Sequence, residues 1–288
     1  MAEILLRAEG NGFDGGVYDL RAVETVISSY RQIIDKTLPV CLNHKTLTPE
    51  LRNKVKYEIQ IKQGSLEVYT NLVLQHKEDI AALLVSDGGK GITELLAKMI
   101  VGIIDLRRKF TDMLEKGVKP TINITNGNYI DNSIHNTGTI NNHISINNPR
   151  TIIGADNSRA SLDRLINGID GEIISSVEVT NTDNQAKLTH EDKRITGKLK
   201  EELPAHIEIV GRLDAVTFSS HRGTIVSGNG RHPITWDDSL RNKVQKFVDV
   251  EGILFKARPI IDNRRMKENT IAFHLIDCYN PQLNMSFQ

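Results

Sequence analysis

The residues able to do chemistry are few, and the nearest thing to a cluster lies in the last third of the chain. His221, Arg222, Arg231, His232, Arg258, Arg264, Arg265 and Lys267 fall at strand starts and loops of that region, while the acidic pair Asp237-Asp238 falls at a helix start. Guanidinium, ammonium and imidazole groups gathered on one face are what a site for phosphate groups or single-stranded nucleic acid uses. No stacking platform accompanies them. Trp236 shares period-two parity with Ile234, and Phe247, Phe255 and Phe273 stand among apolar neighbours, so base stacking lacks its usual partners. Other candidates fail on spacing. Ser86-Asp87-Gly88-Gly89-Lys90-Gly91-Ile92-Thr93 has the glycines and lysine of a phosphate loop, but Gly91 follows Lys90 where Ser or Thr is required. Cys41 and His44 have no second ligand pair, and His190-Glu191 lacks the second histidine of a zincin helix. His135 and His143 read as turn residues facing solvent. The reading predicts no metal and no cofactor, and nothing in it supports an enzyme.

Composition narrows the classes further. The 288 residues carry 36 Lys plus Arg against 36 Asp plus Glu, a formal charge of zero. That balance excludes a chain that holds polyanions by bulk charge alone. With 39% hydrophobic and 25% charged residues, the composition is that of a soluble globular protein with room for about two domains. The apolar run Met99–Ile104 is cut by Lys98 and Asp105, far short of the roughly 20 residues a membrane span requires, and the start Met1–Glu9 has no signal-peptide pattern. Two cysteines make no disulfide framework. The expected location is the cytoplasm, with no membrane partner.

Four stretches must position these residues. Residues 1–118 mix strand and helix signals: a short strand at Ile4-Leu5-Leu6, a helix capped by Asp19 and ended by Pro39, and a hairpin in which Val55, Tyr57, Ile59 and Ile61, then Leu66, Val68 and Leu72, alternate around Gly64-Ser65. A long helix starts near Ile92, with Ile92, Leu96, Met99, Ile103, Leu106, Phe110 and Met113 at heptad spacing. It packs on its own hairpin or is also shared between subunits. Residues 151–203 read as a connector, with a short helix over Ser158–Ile166, a strand around Ile173–Val179, and a charged helix from Thr189 to Leu203 that Pro204 closes.

Residues 119–150 have the most unusual composition. Between Thr121 and Asn148 stand nine Asn and seven Ile, with Asp131 the only fixed charge. Every Ile (122, 124, 130, 134, 140, 144 and 146) occupies an even position, and Asn126/Asn136, Ile130/Ile140, Asn132/Asn142 and Ile134/Ile144 repeat at ten residues. A period of two held that long means extended chain with one apolar edge, and Gly127 and Gly138 supply corners. The pattern resembles a short β-roll or β-helix coil. So few rungs cannot bury their own core. Three outcomes stay open: identical segments wound together in a closed homo-oligomer, most simply a trimer; a hairpin folded onto its own protein; or a cross-β filament. Bacterial proteins with short Asn/Ile β-rolls look similar, and that resemblance implies a role beside a partner effector, as in antiviral defence.

Residues 204–288 have the order three strands, helix, two strands: Ile207–Phe218, Arg222–Val226, His232–Trp236, a helix with Leu240, Val244 and Phe247, then Val248–Lys256 and Thr270–Cys278. This order, with its long bent first strand, resembles a five-stranded OB-like barrel. The resemblance implies a ligand face on strands 2 and 3 with the 1–2 and 4–5 loops, where the candidate cations fall. The expected fold class is modular α+β: an α+β domain, an intertwined β-roll segment, a connector and an OB-like barrel. The expected function is a non-enzymatic homo-oligomeric adaptor or sensor binding a partner protein multivalently; the alternative is a module binding nucleic acid or nucleotide through the barrel.

Overall fold

The computed structural model describes residues 4–15, 17–44, 46–53, 55–62, 64–72, 91–118, 120–124, 143–146, 150–266 and 270–281. The chain is mixed α+β and divides into two compact units, Met1–Gly197 and Lys198–Gln288.

The first unit opens with β1 (Ile4–Glu9), in which Ile4, Leu6 and Ala8 are buried and alternate with polar or half-buried positions. α1 (Leu20–Cys41) starts where the Asp19 carboxylate accepts the Arg21 and Ala22 N–H groups, the orphan donors of a first turn. It buries Val26, Tyr30, Ile33 and Ile34 along one stripe. The helix does not stop at Pro39 as expected. Pro39 lies in its last turn, where the ring forfeits only one backward hydrogen bond, and the His44 N–H closes on the Pro39 carbonyl at 2.8 Å. α2 (Pro49–Asn53) leads into β2 (Val55–Lys62) and β3 (Ser65–Leu72), the expected hairpin, with Gly64 at φ +75° in its turn. α3 (Ile92–Glu115) begins after Gly91, as the spacing predicts.

Next come β4 (Thr121–Ile124) and β5 (His143–Ile146), which pair with each other in parallel, and then α4 (Arg150–Gly168), β6 (Ser176–Thr180) and β7 (Gln185–Thr189). Of the stretch 151–203 expected to be a connector, the part to Gly197 belongs to the first unit and the rest to the second. The helix and two strands of that first part complete an antiparallel sheet of order β2-β3-β1-β6-β7. The sheet buries Ile4, Leu6, Ala8, Leu66, Val68, Val177, Val179 and Leu188 on one face. α3 packs on β1, β3, β6 and β7, and α1, α3 and α4 pack on one another. The charged helix expected from Thr189 to Leu203 shrinks to a six-residue 3₁₀ helix, His190–Ile195. Its capping box between Thr189 and Asp192 forms, but Gly197 at φ +79° turns the chain away.

Beyond that glycine the second unit runs β8 (Lys200–Glu202), β9 (Ile207–Thr217), β10 (Arg222–Ser227), β11 (Gly230–Trp236), a turn at Asp238–Leu240, α5 (Arg241–Lys246), β12 (Ile253–Asp262) and β13 (Thr270–Tyr279). β9 through β13 close into a five-stranded mixed barrel in the order β9-β10-β11-β13-β12, with β11 and β13 parallel and β8 added at the edge of β12. β9 serves two neighbours: Ile207–Gly211 pair with β12 and Arg212–Thr217 with β10. The changeover falls at Gly211, where a Cβ would collide with the Val226 carbonyl. Ile209, Leu213, Ile225, Ile234, Trp236, Ile253, Phe255 and Leu275 fill the interior, with Val244 packed against them from α5. This arrangement is compatible with an OB-like barrel. Trp236 is 3% exposed, as its parity requires.

Candidate functional site: the outer face of the barrel and the parallel strand pair

The barrel strands alternate, so the residues between the core positions stand outward. Register carries one outward row right across the five strands: Thr217 on β9 beside Arg222 on β10, Thr235 on β11, His274 on β13 and Arg258 on β12. Every member carries a side-chain hydrogen-bond donor in its hydroxyl, guanidinium or imidazole N–H. His221 stands at the turn beside this row, at φ +49°, next to Arg222. Arg231 lies at the other end of β11, the end from which the loop carrying Arg264 and Arg265 opens. The expected cations are therefore spread around the barrel, with His221, Arg222 and Arg258 along or beside the row and Arg231, Arg264 and Arg265 toward the other end of β11. Lys267 lies outside the described residues.

The expected separation of charge by face does not hold. Arg231 donates to Asp214 at 2.7 Å, and Asp214 also takes Arg212 at 3.4 Å; it is the residue bulged out between the β9–β10 pairs Leu213↔Ile225 and Ala215↔Thr224. Arg258 is held by Glu202 at 3.0 Å and by the His206 ring at 3.2 Å. His221 meets Asp238 at 3.1 Å, and His274 meets Asp237 at 3.5 Å. The sequence places Asp214 and Glu202 far from the cations they neutralise, and only β-pairing brings them together. His232 turns inward, bonded to the Ser227 hydroxyl at 2.9 Å and edge-on to Phe273. Arg264 and Arg265 donate their backbone N–H groups to Asp262. Arg222 is exposed on β10, between Thr217 and Thr235 in the row.

The row also contains what sequence reading missed. Thr217, Thr235 and His274 are ordinary polar residues in the sequence, and no local signal marks them. Only knowing which strands neighbour which aligns them with Arg222.

The second candidate site is the Asn/Ile strip. β4 and β5 are parallel, with Ile122 opposite Ile144 and Ile124 opposite Ile146. A tight hairpin joins only antiparallel strands, while a parallel pair requires a crossover of a dozen or more residues. The 18 residues 125–142 meet that requirement, so the hairpin alternative does not describe this pair. The expected positions Ile130, Ile134 and Ile140 lie outside the described residues.

Elsewhere, both thiols are buried and unreactive in kind. Burial pushes Cys41 up to about 12 despite the opposing Arg150, and Cys278 up to about 11. Among the described residues no group of three metal-ligating side chains forms, and no helix is long and apolar enough to cross a membrane. No family model, curated protein or solved structure matches this chain.

Proposed function

We propose that this protein is a non-enzymatic homo-oligomeric adaptor or sensor, a trimer in its simplest closed form, which presents its α+β unit and its OB-like barrel in several copies to a partner protein. The carrying observation is the parallel β4–β5 pair with isoleucine opposite isoleucine. Two parallel strands of four residues are too small to be stable alone, and parallel strands are ordinarily covered on both faces. Identical segments wound about a common axis complete the sheet and cover the isoleucines without any new sequence. Copies on one axis then bind a repeated partner with avidity that neither unit has singly. Sedimentation tests the reading. The mass should be a multiple of three chains of 32.2 kDa, and Ile122→Asp with Ile144→Asp should lower it threefold. A one-chain mass at micromolar concentration, or an unchanged mass in the double variant, overturns it.

A second reading has its own observation, the outward row from Thr217 to Arg258. Thr217, Arg222 and Thr235, on three adjacent strands, suit a single nucleic-acid strand laid across that side of the barrel, with Arg222 between the two threonines. A salt titration of single-stranded DNA binding decides this. Arg222→Ala should lower the salt slope by about one, and absence of binding at low salt removes the reading.

A further inference from the structure

The two edges of the first unit's sheet are guarded differently. β7 is five residues long, and its one charge, Lys187, would meet itself in a self-pairing centred there; it already lies 3.8 Å from Glu9. β2 is eight residues long, without proline or bulge, and has no strand on its far side among the described residues. Its solvent-side charges alternate in sign, Lys56 then Glu58, both exposed. Edges protected against self-association ordinarily carry lysines, prolines or bulges, or are short or covered. Alternating sign makes an edge complementary to itself when run antiparallel. Ile59 adds to this, 47% exposed on the face that the helices cover elsewhere.

The backbone phase agrees. Lys62↔Ser65 closes the hairpin around a two-residue turn, so hydrogen-bonded pairs recur at every second residue from there. The N–H and C=O groups of Lys56, Glu58 and Gln60 thus point at β3, and those of Val55, Tyr57 and Ile59 point to the free edge. A second copy related by a two-fold axis can pair there only in registers that keep residues on matching faces. Centring on Glu58 sets Glu58 against itself, and centring on Ile59 sets Lys56 against Lys62. Centring on Gln60 needs Lys62, which Glu67 already holds at 2.6 Å. Centring on Tyr57 opposes Lys56 to Glu58 twice and Val55 to Ile59 twice, with the hydrogen-bonding groups of Val55, Tyr57 and Ile59 facing their mates.

We infer that β2 is a homotypic docking edge, pairing antiparallel with β2 of a second copy about Tyr57 and joining two five-stranded sheets into one of ten. This contact stands on β2 alone and is separate from the isoleucine strip. With both contacts, trimers meet in pairs as hexamers.

The test uses the full-length chain. Lys56→Glu opposes Glu to Glu58 and should halve the mass of the assembly, and adding Glu58→Lys should restore it. Ile122→Asp with Ile144→Asp should leave a dimer, and combining that pair with Lys56→Glu a monomer, so failure of either contact is visible separately. Register is read by cysteine pairing. Residues 56 and 58 form a non-hydrogen-bonded pair with Cα atoms about 4.5 Å apart, within disulfide reach, whereas 56 and its own mate are diagonal neighbours roughly 7–8 Å apart. A mixture of Lys56→Cys and Glu58→Cys chains should therefore oxidise to the mixed dimer, and neither chain alone should. An unchanged mass in Lys56→Glu, or equal cross-linking in the unmixed samples, overturns the inference.

Discussion

In the first unit, Arg107 and Arg108 run inward from α3. In the barrel, Arg222, Arg231 and Arg258 stand on the outside of strands. Arg107 is 5% exposed, donates to Asp163 on α4, and reaches the Ile195 carbonyl at 2.8 Å. Arg108 grips both oxygens of Asp192 at 2.7 and 2.8 Å and also reaches the Lys187 carbonyl. These two bidentate-capable groups tie α3 to α4, to β7 and to the turn after it. The barrel interior is apolar throughout its core cluster, and Arg231 and Arg258 on its surface each meet one carboxylate that remains partly wet. One residue type thus braces a fold in one unit and leaves exchangeable surface charge in the other. An anionic ligand can compete for the second kind of pair and cannot reach the first.

The largest effects should separate the two units. Arg107→Ala leaves Asp163 with only Arg159 at 4.0 Å and the Gly197 N–H at 3.3 Å, removes the donor to the Ile195 carbonyl, and should cost the first unit about 3 kcal/mol, the low end for breaking a buried ion pair from one side. Phe255→Ala, at a position with no exposure, should cost the barrel a similar ~3–5 kcal/mol through the cavity it leaves. The chain's one tryptophan, Trp236, lies in the barrel core, so urea unfolding followed by its fluorescence reads the barrel alone. Its midpoint should move with Phe255→Ala and hold with Arg107→Ala. If both variants move it equally, the two units unfold as one and the contrast fails.

A smaller effect should appear in acid. Burial opposes ionisation of Asp192, but the Arg108 guanidinium and the Thr189 N–H outweigh it and hold the carboxyl below its usual range. Stability from this group is fully present above its unfolded value of about 3.9 and is lost as pH falls through the lower folded value. Asp192→Asn should flatten that part of the acid loss in the helical circular-dichroism signal and leave the Trp236 signal unchanged. The smallest effect is chemical. At pH 8 neither Cys41 nor Cys278 should react with a disulfide reagent in the folded protein, because burial raises both thiols well above that pH. Under rising urea, Cys278 should become reactive with the fluorescence change and Cys41 with the loss of helix.

Much of this was legible in local pattern. The alternation of Val55–Ile61 against Leu66–Leu72 around Gly64 specifies a hairpin with one apolar face, buried at Leu66 and Val68. The parity of Ile234 and Trp236 specifies which way the tryptophan faces, and the barrel's order of strands and helix could be read from turn residues and spacing. Residues 151–203 misled because their strands are short and their helix is interrupted by polar residues. Nothing local says that β6 will pair with β1, which lies more than 160 residues earlier. The cations misled for a related reason: Asp214 and Glu202 neutralise them only across strands.

By itself, the sequence determined the elements that depend on period and punctuation: the hairpin, the α3 helix, the succession of strands and helix along the barrel segment, and the short strands β4 and β5 in the Asn/Ile strip. Those features arise within ten or twenty residues, where side-chain spacing and glycine geometry act directly. Tertiary structure alone decided which strand neighbours which, and hence the row from Thr217 to Arg258, the carboxylates opposite Arg231 and Arg258, and the place of β2 at the edge of its sheet among the described residues. Each of these is a matter of long-range pairing, and a strand's own sequence states which face it buries but not whose backbone it will meet.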